Sequence, residues 1–329
     1  MKRRLATALT FVMALTVVVL VYKRADAWGF WGHQRINRIA VFTLPPQMIG
    51  FFKENIEYIT QHAVDPDKRR YSDPAEAPRH YIDIDRYDKP PYDSVPRYWK
   101  GAVAKYSEDT LNAHGVVPWY LNLMMYKLTE AFKEKNKGKV LHYAADLGHY
   151  CGDAHVPLHC TKNYNGQYTG QTGIHGFWES RIPELFGEDY DYFVGKAEYW
   201  DKPDQHIWQI VLKSASEVDS VLRIERELNA QFPADKKYSY EQRGENTVRS
   251  YSKEYSAAYD KALNNMTERK LREAIIDLGS MWYTCWVNAG SPDLHELREM
   301  PPTAEDVQQT QAMEQSWRDG KIKGREEEQ

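Results

Sequence analysis

Two imidazole–carboxylate pairs, His149 with Asp153 and His175 with Glu179, stand four residues apart within one short stretch of this chain. On a helix that spacing stacks both side chains on one face, so each segment can present a nitrogen and an oxygen to a single point in space. His159 lies between the pairs, in the run His149-Tyr-Cys-Gly-Asp153-Ala-His-Val-Pro-Leu-His159. A fold that satisfies this stretch must bring two helices together around polar groups. Neutral nitrogen mixed with anionic oxygen suits zinc well and suits magnesium or calcium poorly.

The remaining periodicity is helical. Ile36, Ile39, Ala40 and Phe42 recur at three- and four-residue steps until Leu44-Pro45-Pro46 stops the pattern. A second helix is expected over Gln47 to His62, and residues 63–97, rich in Pro, Asp and Tyr, read as a long surface excursion of the functional kind. Helices resume near Tyr98, break around Gly115 and Pro118, and return with Val140 to Asp153, which Pro157 ends. The glycine-bearing segment Lys162 to Gly173 reads as a mobile connection between the ligand-bearing helices, and further helices are expected over Ala197 to Phe232, Glu245 to Asn264 and Glu268 to Ala289. Alternating apolar and polar runs are missing and no internal repeat is evident. The expected fold is therefore all-α, a single-domain multi-helix bundle over residues 28–300 with little or no sheet. Residues 301–329, rich in Gln, Glu and Lys, read as a charged tail without fixed structure.

Residues 1–27 stand apart. Lys2-Arg3-Arg4, an uncharged stretch from Leu5 to Tyr22 and then Ala25-Asp26-Ala27 read as a signal peptide with an Ala-x-Ala cleavage site, so the mature chain would begin at Trp28 and be secreted or periplasmic. The alternative is a membrane anchor formed by residues 5–22. Cleavage would remove five basic residues and one acidic residue, taking the 43 basic and 47 acidic groups to 38 and 46 and the formal charge from -4 to -8. That acidity argues against a broad basic surface for duplex nucleic acid, but not against a phosphate held by metal ions. Cys151, Cys160 and Cys285 are too few for a disulfide framework and read as packing residues, or at most one disulfide.

Two further histidines lie upstream: His33 in Trp28-Gly-Phe-Trp-Gly-His33 and His80 in Arg79-His80-Tyr81-Ile82-Asp83. Trp-Gly followed by Gly-His, an internal His-aromatic-Ile-Asp, then His-x3-Asp-x5-His and His-x3-Glu together resemble the superfamily of zinc-dependent phospholipase C and the single-strand-specific zinc nucleases. The resemblance covers residues 28 to 180 by motif. It implies an all-α fold and three zinc ions. One ion would be held by Asp65, His80, His149 and Asp153, and a second by His159, His175 and Glu179. The third would take the amino group and carbonyl of Trp28, His33 and an oxygen of Asp153. An amide is a far poorer donor than an amine, so signal cleavage at Trp28 would also be the activating step. Asp67 is the rival to Asp65, which lies fifteen residues before His80 and is preferred.

Zinc lowers the pKa of bound water to about 7, and paired ions about 3.5 to 4 Å apart can direct in-line attack at phosphorus. Asp65 is the candidate base that orients or deprotonates that water. The expected activity is hydrolysis of phosphodiester bonds. Glu179 points to a phospholipase C-like enzyme, while the Trp28 motif and the Asp65 to His80 interval point to the alternative, a single-strand-specific endonuclease or 3'-nucleotidase. A phospholipid or single-stranded nucleic acid is thus the expected substrate, and no stable protein partner is expected. Readings of another class are a non-catalytic zinc-binding protein and a membrane-tethered binding module. Nearby residues have plainer readings: His142 as a core or outer-layer hydrogen bond, His155 turned away by Pro157, Lys68 and Arg69 as solvated charge with the alternative of a grip on phosphate, and Tyr81, Trp119 and Trp178 as core, with stacking on a base or lining a lipid pocket as the alternative.

Overall fold

The computed structural model describes residues 28–243, 246–297, 299 and 304–320. The chain runs through α1 (Trp28–Ala40), α2 (Pro46–Glu54), α3 (Ile56–Gln61), α4 (Asp65–Arg69), α5 (Trp99–Tyr106), α6 (Glu108–His114), α7 (Val117–Lys133) and α8 (Lys137–His155). Next come α9 (Ile174–Gly176), a π-helical turn (Phe177–Arg181), α10 (Ile182–Phe186) and α11 (Pro203–Gln231). An antiparallel hairpin of β1 (Tyr238–Arg243) and β2 (Asn246–Tyr251) precedes α12 (Lys253–Ala262), α13 (Met266–Asn288) and α14 (Ala304–Asp319).

Helix α8 is the axis of the fold. Asn136 caps it by accepting the Lys139 N–H at 3.1 Å, and every residue from Ala144 to His155 is buried. A helix buried on all sides needs partners on all sides, and α1, α7, α11 and α13 supply them. Small residues let those partners approach. A Cβ on Gly148 would meet Asn37 Oδ1 of α1 at 1.8 Å, and one on Gly152 would meet His33 Nδ1 at 2.9 Å. The two glycines, four residues apart, form a flat strip against which α1 lies. Trp282 of α13 closes the other side by donating Nε1–H to Ala144 O at 3.0 Å and stacking on Phe52 at 4.9 Å.

Several expectations need correction. The second helix divides at Asn55, whose side chain donates to Phe51 O at 2.8 Å and competes with the helical ladder. Residues 63–97 do not simply cross the surface, because Ala63, Val64, Glu76, His80, Tyr81, Ile82 and Ile84 are buried. The middle of that segment is stitched inside by Ile82 N–H to His159 O (2.8 Å) and Asp83 N–H to His114 O (2.7 Å). Gly115, at φ 87°, leaves room there for Tyr81 O, which a Cβ would approach to 2.2 Å.

The segment 162–173 is tied down by side chains that a periodicity reading cannot weigh. Asn163 Oδ1 accepts from Tyr168 N–H at 2.8 Å, Asn165 Oδ1 from Gly173 N–H at 2.8 Å, and Gln171 donates to Leu222 O at 2.8 Å. The helix expected over Glu245 to Asn264 is β2 followed by α12. Its hairpin exists because Tyr251 stacks on Phe177 at 3.8 Å and Glu241 accepts both Arg181 Nη groups, contacts distant in sequence. The tail carries α14, anchored by Lys68 Nζ to Glu314 Oε1 at 3.1 Å and by Trp317 stacked on Phe30 at 6.2 Å. Among the described residues no helix is long and apolar enough to cross a membrane, while the signal peptide or anchor read over residues 1–27 lies outside the described residues. All three cysteines are free and buried.

Candidate metal centre

Pro157 ends α8 and a 3-10 turn, Pro157–Cys160, folds the chain back so that His159 returns to the face that carries His149 and Asp153. The π-helical turn widens the next segment by one residue per turn and places His175 beside Glu179; such turns recur at functional sites. Phe177 and Arg181 flank Glu179, and the β-hairpin grips both. The hairpin therefore braces the carboxylate from behind.

His159 Nε2, His175 Nε2 and Glu179 Oε2 form one cluster, with separations of 3.2, 3.3 and 2.9 Å. A second cluster joins His80 Nδ1, His149 Nε2 and Asp153 Oδ2 at 3.0, 3.0 and 3.3 Å. Asp67 Oδ1 adds to it at 3.6 Å from His149 Nε2 and 3.9 Å from His80 Nδ1. A tetrahedral shell with bonds of about 2.0 Å spaces its donors by roughly 3.3 Å. The donors of both clusters already sit near that spacing, and all but Asp67 are buried. His33 stacks on His149 at 3.8 Å, and its Nε2 lies 3.4 Å from Asp153 Oδ1. Asp153 thus touches His33 through one oxygen and His80 through the other.

The outward ring nitrogens fix which lone pairs face inward. His149 Nδ1–H donates to Ala63 O at 2.9 Å and His159 Nδ1–H to His80 O at 2.7 Å, which leaves each Nε2 as a bare donor atom. His80 Nε2 faces Glu76 at 3.5 Å. Two bare nitrogens 3.0 Å apart, His80 Nδ1 and His149 Nε2, repel unless a proton or a cation lies between them. The electrostatics express the same demand. Burial opposes the His80 imidazolium, yet the carboxylates of Asp153 and Glu76 outweigh it and raise the ring to about 9. Burial, reinforced by His33 and His80, pushes His149 well below its ordinary value. Burial also works against the Asp153 carboxylate, but His149, His159, His33 and His80 hold it well below the usual range, and His175 and His159 likewise hold Glu179 at about 2. The donor set, anionic oxygens among buried imidazoles, fits a divalent ion.

Of the residues singled out in the sequence, His33, His80, His149, Asp153, His159, His175 and Glu179 meet in these clusters. Asp65 does not. Its Oδ2 accepts from His62 Nδ1 at 2.5 Å and its Oδ1 lies 3.4 Å from Lys68 Nζ, which also disfavours it as a base. Asp67, one short helical step further along α4, turns inward instead. Trp28 opens α1 five residues before His33, but residues 1–27, on whose removal its amine depends, lie outside the described residues. His155 faces Cys151 O and Asp277, and His142 lies 3.6 Å from Asp146.

Arg69 is not a free phosphate grip: Asp146 at 2.6 Å and Glu76 at 3.2 Å engage it. Lys68 is similarly occupied by Asp65 and Glu314. Glu76 escaped the sequence reading altogether. It is fully buried among Arg69, Arg79 and His80 and orients the His80 ring; its place four residues before His80 was the available signal.

A cleft of about 510 Å³ opens at the loop that follows His159. Tyr81, Arg86, Asn112, Lys162, Tyr164 and Tyr168 line it, and no Leu, Ile, Val or Met is among its described lining residues. Of these lining residues, Tyr164 has its ring 6.0 Å from that of His175.

A family model described as S1/P1 nuclease matches residues 28–284. Nuclease S1 of Aspergillus oryzae (strain ATCC 42149 / RIB 40) is 24% identical over 185 residues, 52% of this chain and 59% of that protein. The chain therefore spans less than two thirds of the length of this curated relative. The family-level resemblance read from the histidine motifs is borne out, and with the match running from the start of α1 almost to the end of α13, the chain belongs to the S1/P1 nuclease family.

Proposed function

We propose that the protein is a zinc-dependent phosphodiesterase that cleaves single-stranded nucleic acid. The observation that carries this reading is the family match over residues 28–284, joined to two buried donor clusters at tetrahedral spacing. Asp67, His80, His149 and Asp153 would hold one zinc ion, and His159, His175 and Glu179 a second. His33, Asp153 and the amine of Trp28, freed by removal of residues 1–27, would hold a third. Zinc so bound supplies an acidified water and a Lewis acid for the phosphoryl oxygens.

The chain's own groups set the conditions for that chemistry. Asp153 and Glu179 stay anionic at neutral pH because imidazoles surround them. His149 and His159 keep their outward protons on backbone carbonyls, which fixes the donor tautomer. The second site has three protein ligands, which leaves a position for water or substrate, as catalytic sites do. This favours turnover over a purely structural metal.

Glu179 first favoured a phospholipid substrate. The family match supports nucleic acid instead, and the cleft at the loop after His159 agrees with it, since tyrosine rings with Arg, Lys and Asn suit bases and phosphates and its described lining offers no long aliphatic side chains for acyl chains. Zinc-loaded protein beginning at Trp28 is to be assayed on single-stranded DNA and RNA and on phosphatidylcholine. Cleavage of the nucleic acids is expected, and hydrolysis of phosphatidylcholine with none of either nucleic acid would overturn the reading.

A further inference from the structure

We propose that a buried relay behind the metal centre, from Lys270 through Ser214 to the carbonyl of Ala154, is a positioning device that sets His159 in place relative to Asp153. The inference rests on the metal reading above and adds two residues, neither of them a ligand, to what shapes the three-ligand site.

Asp153 and His159 approach each other only because the chain turns a corner between them. His159 Nε2 lies 4.0 Å from Asp153 Oδ1 across the end of α8 and the 3-10 turn Pro157–Cys160. The corner is poorly held from within. Pro157 has no N–H to give the helix, and the last four carbonyls of any helix need partners from outside its ladder. The Ser214 hydroxyl of α11 supplies one by donating to Ala154 O at 2.8 Å. Lys270 of α13 fixes that hydroxyl in turn, its Nζ donating to Ser214 Oγ at 3.1 Å. With a lone pair facing an ammonium, the hydroxyl turns its hydrogen toward the carbonyl.

The grip does not stop at Ala154. Asp277, further along the same face of α13, lies 2.9 Å from His155 Nε2. Helix α13 therefore holds two consecutive residues directly after a ligand, one through α11 and one by itself. On the other side of the corner the turn Pro157–Cys160 packs on α11. Burial raises the thiol of Cys160, the residue after His159, and the Lys270 ammonium opposes that rise.

Packing alone does not call for this relay. Lys270 and Ser214 are both 0% exposed, and Glu217 Oε2 balances the ammonium at 2.6 Å. Burying an ammonium costs solvation that an apolar side chain of similar length would not lose. What the apolar side chain lacks is a donor that gives the serine hydroxyl one direction.

The test measures zinc affinity of protein beginning at Trp28 by competition with a chromophoric chelator, in wild type, Ser214→Ala and Lys270→Met/Glu217→Gln. The ion of the three-ligand site is identified as the one missing from His159→Ala. In both variants the affinity for that ion should fall by about tenfold, the low end of what groups behind metal ligands are worth. The other ions should be held as in the wild type, and in cobalt-substituted protein the visible bands of that site alone should shift. The double variant removes both charges, so its urea midpoint should match or exceed that of the wild type. Ser214→Ala deletes a single oxygen and decides the question should the double variant not fold. Unchanged affinity for that ion in either folded variant, or an equal loss from every site with a lowered urea midpoint, would overturn the relay and leave the metal reading standing. Wild-type protein that holds no more ions than His159→Ala would overturn both.

Discussion

The close approach of α1 to α8 can be tested at Gly148. A Cβ there would sit 1.8 Å from Asn37 Oδ1, 2.6 Å from its Cγ and 2.8 Å from Leu278 Cδ2. Asn37 is fully buried and cannot swing toward solvent, and its Nδ2 closes two buried carbonyls, Ile59 O at 3.1 Å and Ala145 O at 3.0 Å. Gly148→Ala must therefore displace that amide or push the helices apart. Overpacking costs about 1–3 kcal/mol, and two lost neutral hydrogen bonds about 1 kcal/mol each. The better helix propensity of alanine offsets about 1 kcal/mol. The net expectation is a loss of about 2–4 kcal/mol, read as a lowered urea midpoint at unchanged m-value in zinc-saturated protein. Gly152→Ala is the internal comparison. Its nearest contacts, His33 Nδ1 at 2.9 Å and Ile36 Cδ1 at 3.2 Å, are milder, so its stability should lie near that of the wild type while His33 shifts. A Gly148→Ala protein at least as stable as the wild type would refute the packing argument, since it would behave like a glycine in an open helix.

Asp67→Asn should lower the zinc content of the purified protein by about one ion and Asp65→Asn should not, measured by elemental analysis, because Asp67 rather than Asp65 approaches His149 and His80; the reverse order would restore Asp65 as the ligand. Without metal, His80 has a folded value of about 9 against an ordinary 6.5. Its stabilisation is then fully present below about 6.5 and lost as pH rises through 9, so the Tm of metal-free protein should fall across that window. Zinc-loaded protein, with a cation in place of the proton, should not show that fall, and equal pH profiles for the two forms would count against a metal at His80. His159→Ala should reduce turnover by at least about a hundredfold, since even outer-shell changes at metal sites cost 10–100-fold, while circular dichroism keeps its helical signal. Global unfolding of that variant would instead favour a structural metal.

The helices with strong period or clear stops were legible before any coordinates. Val140 to Asp153 with Pro157 as its stop lies within α8, and the pattern of Ile36, Ile39, Ala40 and Phe42 runs through α1 and the 3-10 turn Val41–Thr43 before Leu44-Pro45-Pro46 stops it. The hairpin was not legible, because Tyr238 to Tyr251 gains its strand structure from Phe177 and Arg181, far back in the sequence. Helix α14 was missed for a similar reason. Its own composition is polar, and its anchors, Phe30 and Lys68, lie near the other end of the chain.

What the sequence determined by itself is the set of donors. Side chains at four-residue spacing must share a helix face, so His149 with Asp153 and His175 with Glu179 were paired by backbone geometry alone. What only the tertiary structure decided is which of two neighbouring aspartates joins them and what stands behind the ring of His80. Asp65 and Asp67 have the same chemistry and nearly the same position in sequence. They differ in the direction that a short helix happens to face, and that direction is set by His62, Lys68 and the packing of α4 against α8.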